Sequence, residues 1–456
     1  MIMDGLAGTL TNKQKLSDIL SAFPDDGIDH AFGYGSGVFV QEETEEITNS
    51  NRNNHNDAMV DIILSVSNPT AWHHQNLERN SNHYAALPRT FGSTFISTVQ
   101  NQGAGCYFNP MVQIETQAQT QIQARPEPAS EPASSPSLNS RRFERLVKYG
   151  VISTSTLKND LMHWESMYIA GRMHKPVLHL ELPSSASASS ASASSSSGDE
   201  ILELQEEYNL RYALSTGLLL LPLHSSYNSY SSSNSMDKHI TENIRATSTD
   251  EFEYGFAHKH KHQYQLSHLF ECIAGISYIN DPRIAAGAED PNKIQKLVNS
   301  SGQLQRFHSL YKNQLSNLES MGLMSVVNTS TTTSASATST CNGSAVEIQM
   351  DLNDTSVRKA LYDNLPKNVQ HFITASRKNK NNNINDTNVK MDLPSDNDMN
   401  EDVILFARDL TVTLGKIVGP PARIQSAKGI ISAGIFKSIQ YASSKLTKGI
   451  FRNVKA

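Results

Sequence analysis

The chain has 456 residues, 38% of them hydrophobic and 18% charged, with a formal net charge of −6 and a mean hydropathy of −0.42. That length accommodates two or three domains with cores of their own, and the acidic balance argues against a protein that coats nucleic acid over its whole surface. Polar inserts dilute the apolar content, and no run approaches the roughly 20 apolar residues of a membrane span.

Residues 1–22 read as an N-terminal segment with no apolar h-region and no arginine before Arg52, so neither a secretory signal nor an Arg-rich transit pattern is visible. Residues 30–40 and 58–66 read as two strands with a polar connector, and 145–153 as a further strand. Over 156–173, Leu157, Leu161, Trp164, Tyr168 and Ile169 fall on one helical face, which predicts a single helix. Residues 200–221, 265–277 and 292–311 read as helices. The expected architecture is an α/β domain over 23–183 followed by a mainly helical second domain over 200–327. A largely disordered stretch with a short helical piece covers 328–400, and a basic helical segment covers 401–456.

Five segments have the composition of disordered inserts: 116–140, 184–198, 225–250, 328–344 and 378–400. Their Ser, Asn, Gln and Pro offer too little apolar area to offset chain entropy. Cys106, Cys272 and Cys341 are scattered, with no CxxC spacing, which suggests neither a disulfide framework nor a zinc site. The alternating tract His258-Lys-His-Lys-His262 reads as solvated and receives no role.

The sharpest local feature is Phe32-Gly-Tyr34-Gly35-Ser36-Gly-Val-Phe39. Glycines here let backbone N–H groups approach a phosphate, with the Ser36 hydroxyl as a further donor. Asp61 lies inside an apolar strand, where a carboxylate is costly without a partner, and a magnesium ion carrying nucleotide phosphates is such a partner. A Gly-Ser turn followed by a strand-borne aspartate is the skeleton of the nucleotidyltransferase (polymerase-β-like) fold. The usual second acid two residues on is replaced by Ile63, which leaves Asp57 and Asp160 as alternative metal ligands. On these residues alone, an ordinary turn and a satisfied buried aspartate account for the pattern equally well.

Longer strings occur in order: Tyr34-Gly-Ser-Gly-Val-Phe39, Trp72-His-His-Gln-Asn76, Asn82-His-Tyr84, Gly103-Ala-Gly105 with Tyr107 and Asn109, and Lys148-Tyr-Gly-Val-Ile-Ser153. Asp160, Trp164, Tyr168-Ile-Ala-Gly-Arg-Met-His-Lys-Pro176, Ala274-Gly-Ile-Ser-Tyr278, Asp281, Arg283 and Ser426-Ala-Lys-Gly-Ile430 follow. This series resembles the mitochondrial translocator assembly and maintenance protein family, the peripheral phosphatidate cytidylyltransferases. The resemblance implies a Mg2+-dependent reaction of CTP with phosphatidic acid that yields CDP-diacylglycerol and pyrophosphate, feeding cardiolipin and phosphatidylglycerol synthesis. It implies a peripheral protein on the matrix side of the mitochondrial inner membrane, with no nucleic-acid partner. On this reading Tyr34, Gly35 and Ser36 hold the nucleotide and Asp61 holds the metal. Lys148, Arg172 and Lys175 neutralise phosphates, while His73, Asn76, His83 and Tyr84 lie beside the site.

From Leu410 to the end there is no acidic residue beyond position 410, and Pro420-Pro421 predicts a break before a final helix. Along that helix Ile435 and Ile439 share a face with Ile431, Leu446 and Ile450, while Lys437, Lys445, Lys448 and Arg452 lie opposite. A basic amphipathic helix of this kind suits an anionic membrane surface. Two other readings share these residues: a nucleotidyltransferase with a soluble or RNA acceptor, and a non-catalytic mitochondrial assembly factor.

Overall fold

The apolar run Val60–Val66 (β2) pairs antiparallel with Ile28–Tyr34 (β1), and β2 is the central strand of a five-stranded sheet. The computed structural model describes residues 13–14, 16–39, 59–117, 142–182, 196–228, 262–285, 290, 292–300, 302–329, 345–381 and 403–453. Strands Cys106–Gln117 (β3), Arg142–Ser153 (β4) and Val177–His179 (β5) complete the sheet in the order β3-β4-β2-β1-β5. Only β2 and β4 run parallel within it; the other pairs are antiparallel. The chain divides into two compact units, and this sheet belongs to the first, composed of 1–154, 177–191 and 428–438.

Alternation along β2 sends Val60, Ile62, Leu64 and Val66 to one face and Asp61, Ile63 and Ser65 to the other. The first set joins Val147, Tyr149, Val151 and Trp72 in a core that also buries Leu16, Ile19, Leu20 and Phe23. Residues from 16 onward are therefore part of the first unit and not a separate segment. Each fully buried aliphatic side chain there contributes about 1.5–3 kcal/mol. Helices Pro69–Arg79 (α1) and Ala86–Gln100 (α2), which the sequence pattern did not reveal, belong to the same unit; α2 consists of two helical pieces joined across a kink at Gly92. Asn68 caps α1 by accepting from the Ala71 N–H, with Pro69 at the first helical position.

The second unit takes 155–176, 192–427 and 439–456. The single helix expected over 156–173 is broken: Thr154–His163 (α3) ends, and a short helix Ala170–Met173 (α4) follows. Trp164 and Met167 both adopt left-handed backbone with φ of 54° between them, which no helix accommodates. The long helix Ser196–Asn228 (α5) crosses Leu266–Gly275 (α6) where Gly217 lies against Ile273; a Cβ at Gly217 would stand 2.5 Å from the Ile273 side chain. Pro282–Ala285 (α7), Lys293–Asn299 (α8) and Gln303–Ser320 (α9) follow. The helix expected over 292–311 is thus two, separated at Gly302 with φ of 72°.

The second unit also carries a three-stranded antiparallel sheet, His262–Gln265 (β6), Ala345–Met350 (β8) and Ser325–Thr329 (β7), in the order β6-β8-β7. This sheet, with Thr355–Asp363 (α10) and Lys367–Asn381 (α11), lies partly in the stretch expected to be disordered. The other insert residues, Asp57, Cys341 and positions 258–261 lie outside the described residues, as does most of each insert. A final helix, Val403–Asn453 (α12), runs through Pro420 and Pro421 without the expected break. Pro420 and Pro421 remove the N–H partners of the Lys416 and Ile417 carbonyls, of which Lys416 is exposed and Ile417 buried. The side chains of Ile435, Ile439, Lys437, Lys445, Lys448 and Arg452 lie outside the described residues. Among the described residues no helix is long and apolar enough to cross a membrane.

Candidate active site

The pairing of β1, β2 and β4 places three of the anticipated residues on one line across the sheet. Tyr34 lies opposite Asp61, and Asp61 lies beside Lys148 in the parallel pair. Cross-strand partners share a face, so Tyr34, Asp61 and Lys148 all belong to the face opposite the first unit's main core. Lys148 Nζ is 3.1 Å from Asp61 Oδ1, with both side chains about a quarter exposed at 27% and 22%. The same ammonium sits 5.0 Å from the Phe108 ring centroid. Phe108 carried no signal in the sequence beyond its neighbourhood to Tyr107 and Asn109.

Past Tyr34 the chain turns sharply over Gly35–Phe39, with Val38 and Phe39 N–H groups directed to the Gly35 carbonyl at 3.2 and 3.4 Å. Gly35 has φ of 83°, and a Cβ on it would stand 3.6 Å from Asp61 Oδ2. Gly37 is required by contact: a Cβ there would meet the Met59 carbonyl oxygen at 2.2 Å. These two glycines press the turn onto the start of β2 and leave open space beside the carboxylate. Ser36, at the tip of the turn, is exposed. The position two residues past Asp61 holds Ile63, fully buried against the floor that Gly150 and Phe108 form. No second acid enters from that strand.

The Asp160 carboxylate, a candidate metal ligand by sequence, is already filled by hydrogen bonds within the protein. Oδ1 accepts from the N–H groups of Ser166 and Met167, both at 2.8 Å, and from Ser166 Oγ at 3.0 Å. Oδ2 accepts from the Ile169 and Ala170 N–H groups at 3.1 and 3.0 Å. It belongs to the second unit and holds the bend between α3 and α4 closed.

Arg172 and Lys175 also belong to the second unit. The Arg172 guanidinium stacks on Tyr168 at 4.0 Å. Lys175 Nζ donates to the Gly171 carbonyl at 2.7 Å and to Ser277 Oγ at 2.8 Å, above the Tyr278 ring. Burial, reinforced by the like charges of Arg172 and Lys293, holds the Lys175 pKa well below the ordinary lysine value.

The strings around His73, Asn76, His83 and Tyr84 serve the opposite side of the sheet. His73 bridges Tyr84 OH and Gln100 Oε1, each at 2.8 Å, and Asn76 Nδ2 donates to the hydroxyls of Tyr84 and Tyr149 at 2.9 Å. Asn109 and His83 complete the shell around Tyr149 OH. This buried network ties α1 and α2 to β3 and β4. Burial lowers the His73 pKa to about 4, against a smaller opposing effect of the Gln100 bond, so the ring is neutral at pH 7. Lys428 performs a related task in the same unit. Its buried ammonium donates to the carbonyls of Gln100, Gln102 and Cys106 at 3.0, 2.8 and 2.8 Å, capping the negative end of α2.

Comparison with known proteins finds relatives along nearly the whole chain. The family described as "Phosphatidate cytidylyltransferase, mitochondrial" matches residues 16–232 and 258–448. A protein of that name from Xenopus laevis is 29% identical over 438 residues, covering 94% of this chain and 93% of the relative. Its namesake from Rattus norvegicus is 27% identical over 441 residues (95% and 94%), and that from Schizosaccharomyces pombe 26% over 445 (96% and 84%).

Proposed function

Because the chain belongs to the mitochondrial phosphatidate cytidylyltransferase family, we propose that it converts CTP and phosphatidic acid to CDP-diacylglycerol and pyrophosphate. A phosphate oxygen of phosphatidate forms the new bond to the α-phosphorus of CTP. The bond from that phosphorus to the β-phosphate oxygen breaks, and pyrophosphate leaves with the electron pair. Such a transfer needs positioning and charge stabilisation more than covalent participation by the protein.

The observation that carries the reading is the strand register that brings Gly35, Asp61 and Lys148 to one place on one face. We read the first unit as a nucleotidyltransferase fold on that basis. The turn at Gly35 and Ser36 presents backbone donors to the triphosphate, and Tyr34 lies on the same face. The donor set fits Mg2+ of the kind carried in by a nucleotide: one carboxylate, Asp61, with open space beside Oδ2 and no second protein acid required when phosphates supply further oxygens. When bound, the ion neutralises charge on the phosphates. Lys148 balances Asp61 in the free chain and supplies positive charge to phosphates that arrive there. Arg172 and Lys175 serve phosphate in the second unit.

The relatives' names place them in the mitochondrion, and we place this chain on the matrix face of the inner membrane as a peripheral protein. The end of α12, with Lys437, Lys445, Lys448 and Arg452 set against Ile435 and Ile439 by sequence, is the proposed contact with anionic lipid.

The test is pyrophosphate release from CTP with and without phosphatidate vesicles. Wild type releases it only with phosphatidate and Mg2+, and Asp61→Ala lowers turnover by roughly a hundredfold or more. Release with an RNA acceptor, or wild-type turnover by Asp61→Ala, overturns the reading.

A further inference from the structure

Around Arg172 and Lys175 the second unit gathers more positive charge than one lysine and one arginine. Gly171 packs so closely on the Ile276–Tyr278 turn that a Cβ there would stand 2.4 Å from Ser277 Cβ. This contact delivers Lys175 to Ser277 and to the Tyr278 ring, 4.9 Å from its centroid. Lys293, from α8, reaches the same ring at 5.2 Å. One tyrosine therefore supports two ammonium groups. Arg283 enters from α7, and its guanidinium is held by the buried Asp281 in a two-point grip: Nε to Oδ1 at 3.0 Å and Nη2 to Oδ2 at 2.6 Å. Asp281 is 2% exposed in its side chain while Arg283 is 40% exposed, so the acid is the fixed partner and the cation the presented one. Arg172 and Arg283 oppose each other as like charges, as Lys175 does with Arg172 and Lys293.

We propose that Arg172, Lys175, Arg283 and Lys293, walled by Tyr168 and Tyr278, form a receptor for a phosphate monoester, with Asp281 positioning the Arg283 guanidinium. Folding like charges together costs free energy, and an arriving anion offsets that cost at the moment of binding. A monoester suits the arrangement because it carries close to two negative charges near neutral pH and three terminal oxygens. Arg supplies planar two-point donation and Lys supplies point charge. A phosphodiester headgroup has one charge and two free oxygens, and satisfies the cluster less well. Tyrosine walls, apolar in body and polar at the tip, suit a headgroup that leaves an apolar surface. This assignment rests on the proposed reaction only for the source of the monoester, which is the headgroup of phosphatidate; CTP is left to the first unit.

The experiment compares the full chain with Arg283→Lys, Lys293→Gln and Asp281→Asn, each checked for an unchanged thermal midpoint. Binding is measured to phosphatidylcholine vesicles doped with phosphatidate, or with phosphatidylglycerol at matched surface charge, and glycerol 3-phosphate is added as a soluble monoester competitor. Wild type is expected to prefer the phosphatidate vesicles, with glycerol 3-phosphate competing. Arg283→Lys and Lys293→Gln should each lose the preference by roughly tenfold or more. The KM for phosphatidate should rise in parallel and the KM for CTP should stay within about twofold. Asp281→Asn separates orientation from bulk charge: removing an acid should tighten anion binding by charge alone, whereas loss of orientation should weaken it. Unchanged preference in both cation variants overturns the receptor, as does a rise confined to the KM for CTP or failure of glycerol 3-phosphate to compete in wild type. Tighter binding by Asp281→Asn overturns the positioning role. If wild type makes no CDP-diacylglycerol, the proposed reaction fails, and the binding arms still decide the receptor.

Discussion

Asp61 and Asp160 are both carboxylates drawn in among apolar residues, and the two units use them in opposite ways. Asp160 is 2% exposed and accepts five hydrogen bonds, four of them from backbone N–H groups that left-handed residues would otherwise leave without partners. Asp61 faces one ammonium across 3.1 Å, and the glycine beside it leaves room at its other oxygen. The contrast teaches that an aspartate's neighbours, rather than its burial, separate a structural carboxylate from one available to a ligand.

The largest effect that would break this comparison is on stability. Asp160→Ala should cost the second unit about 3–5 kcal/mol, because several buried N–H groups lose their acceptor together. Asp61→Ala should change stability by about 1 kcal/mol or less, since its ion pair is partly solvated. Urea unfolding of the two variants measures both. Equal losses would show that Asp61 is structural as well.

A second effect tests whether both units share a dependence on neutral histidine. Burial lowers the pKa of His73 to about 4 and of His174 to about 3, with the Lys175 charge a further cause at His174. Their folded pKa values lie below the ordinary value near 6.5, so the unfolded chain takes up protons first as pH falls. The stability they contribute is present above about pH 6.5 and is lost progressively toward pH 4 at His73 and pH 3 at His174. Each should cost about 1.4 kcal/mol per pH unit within its window. Unfolding at pH 7.5 and 5.5 should show a loss in each unit, and flat stability over that interval would contradict it.

The smallest effect concerns the insert between β3 and β4. Gln117 already pairs with Arg142, so the intervening residues close a hairpin that a short turn can close as well. Replacing 118–141 with a four-residue turn should leave CDP-diacylglycerol formation unchanged and stability within about 1 kcal/mol, because loop length enters only logarithmically. A folded but inactive product would place part of the insert in the site.

Legibility in the sequence followed how locally each feature is determined. β2 and the Gly35 turn were readable because apolar runs and glycines act over a few residues, and Asp61 was conspicuous as an acid inside such a run. The strand expected over 30–40 instead starts at Ile28 and ends at Tyr34, where the turn begins. Helices α1 and α2 were not, since His73, Asn76 and Gln100 are polar residues buried by a network that only the folded sheet completes. Gly92, with φ of 76° inside α2, hides its period further. The bend after His163 was invisible because Trp164 and Tyr168 keep helical spacing while Asp160 enforces another backbone. Arg283 and Lys293 are separated in sequence from Arg172 by more than a hundred residues, and nothing local marks them as its neighbours.

The carbonyls of Gln100, Gln102 and Cys106 receive their cap from a lysine 322 to 328 positions later in the chain. A ribosome adding roughly 5–20 residues per second emits the second half of that bond about a quarter-minute to a minute after the first. Through that interval the end of α2 lacks its cation, and the same holds for a chain drawn N-terminus first through a translocation pore. The nascent first unit must wait for residue 428 before this bond can close.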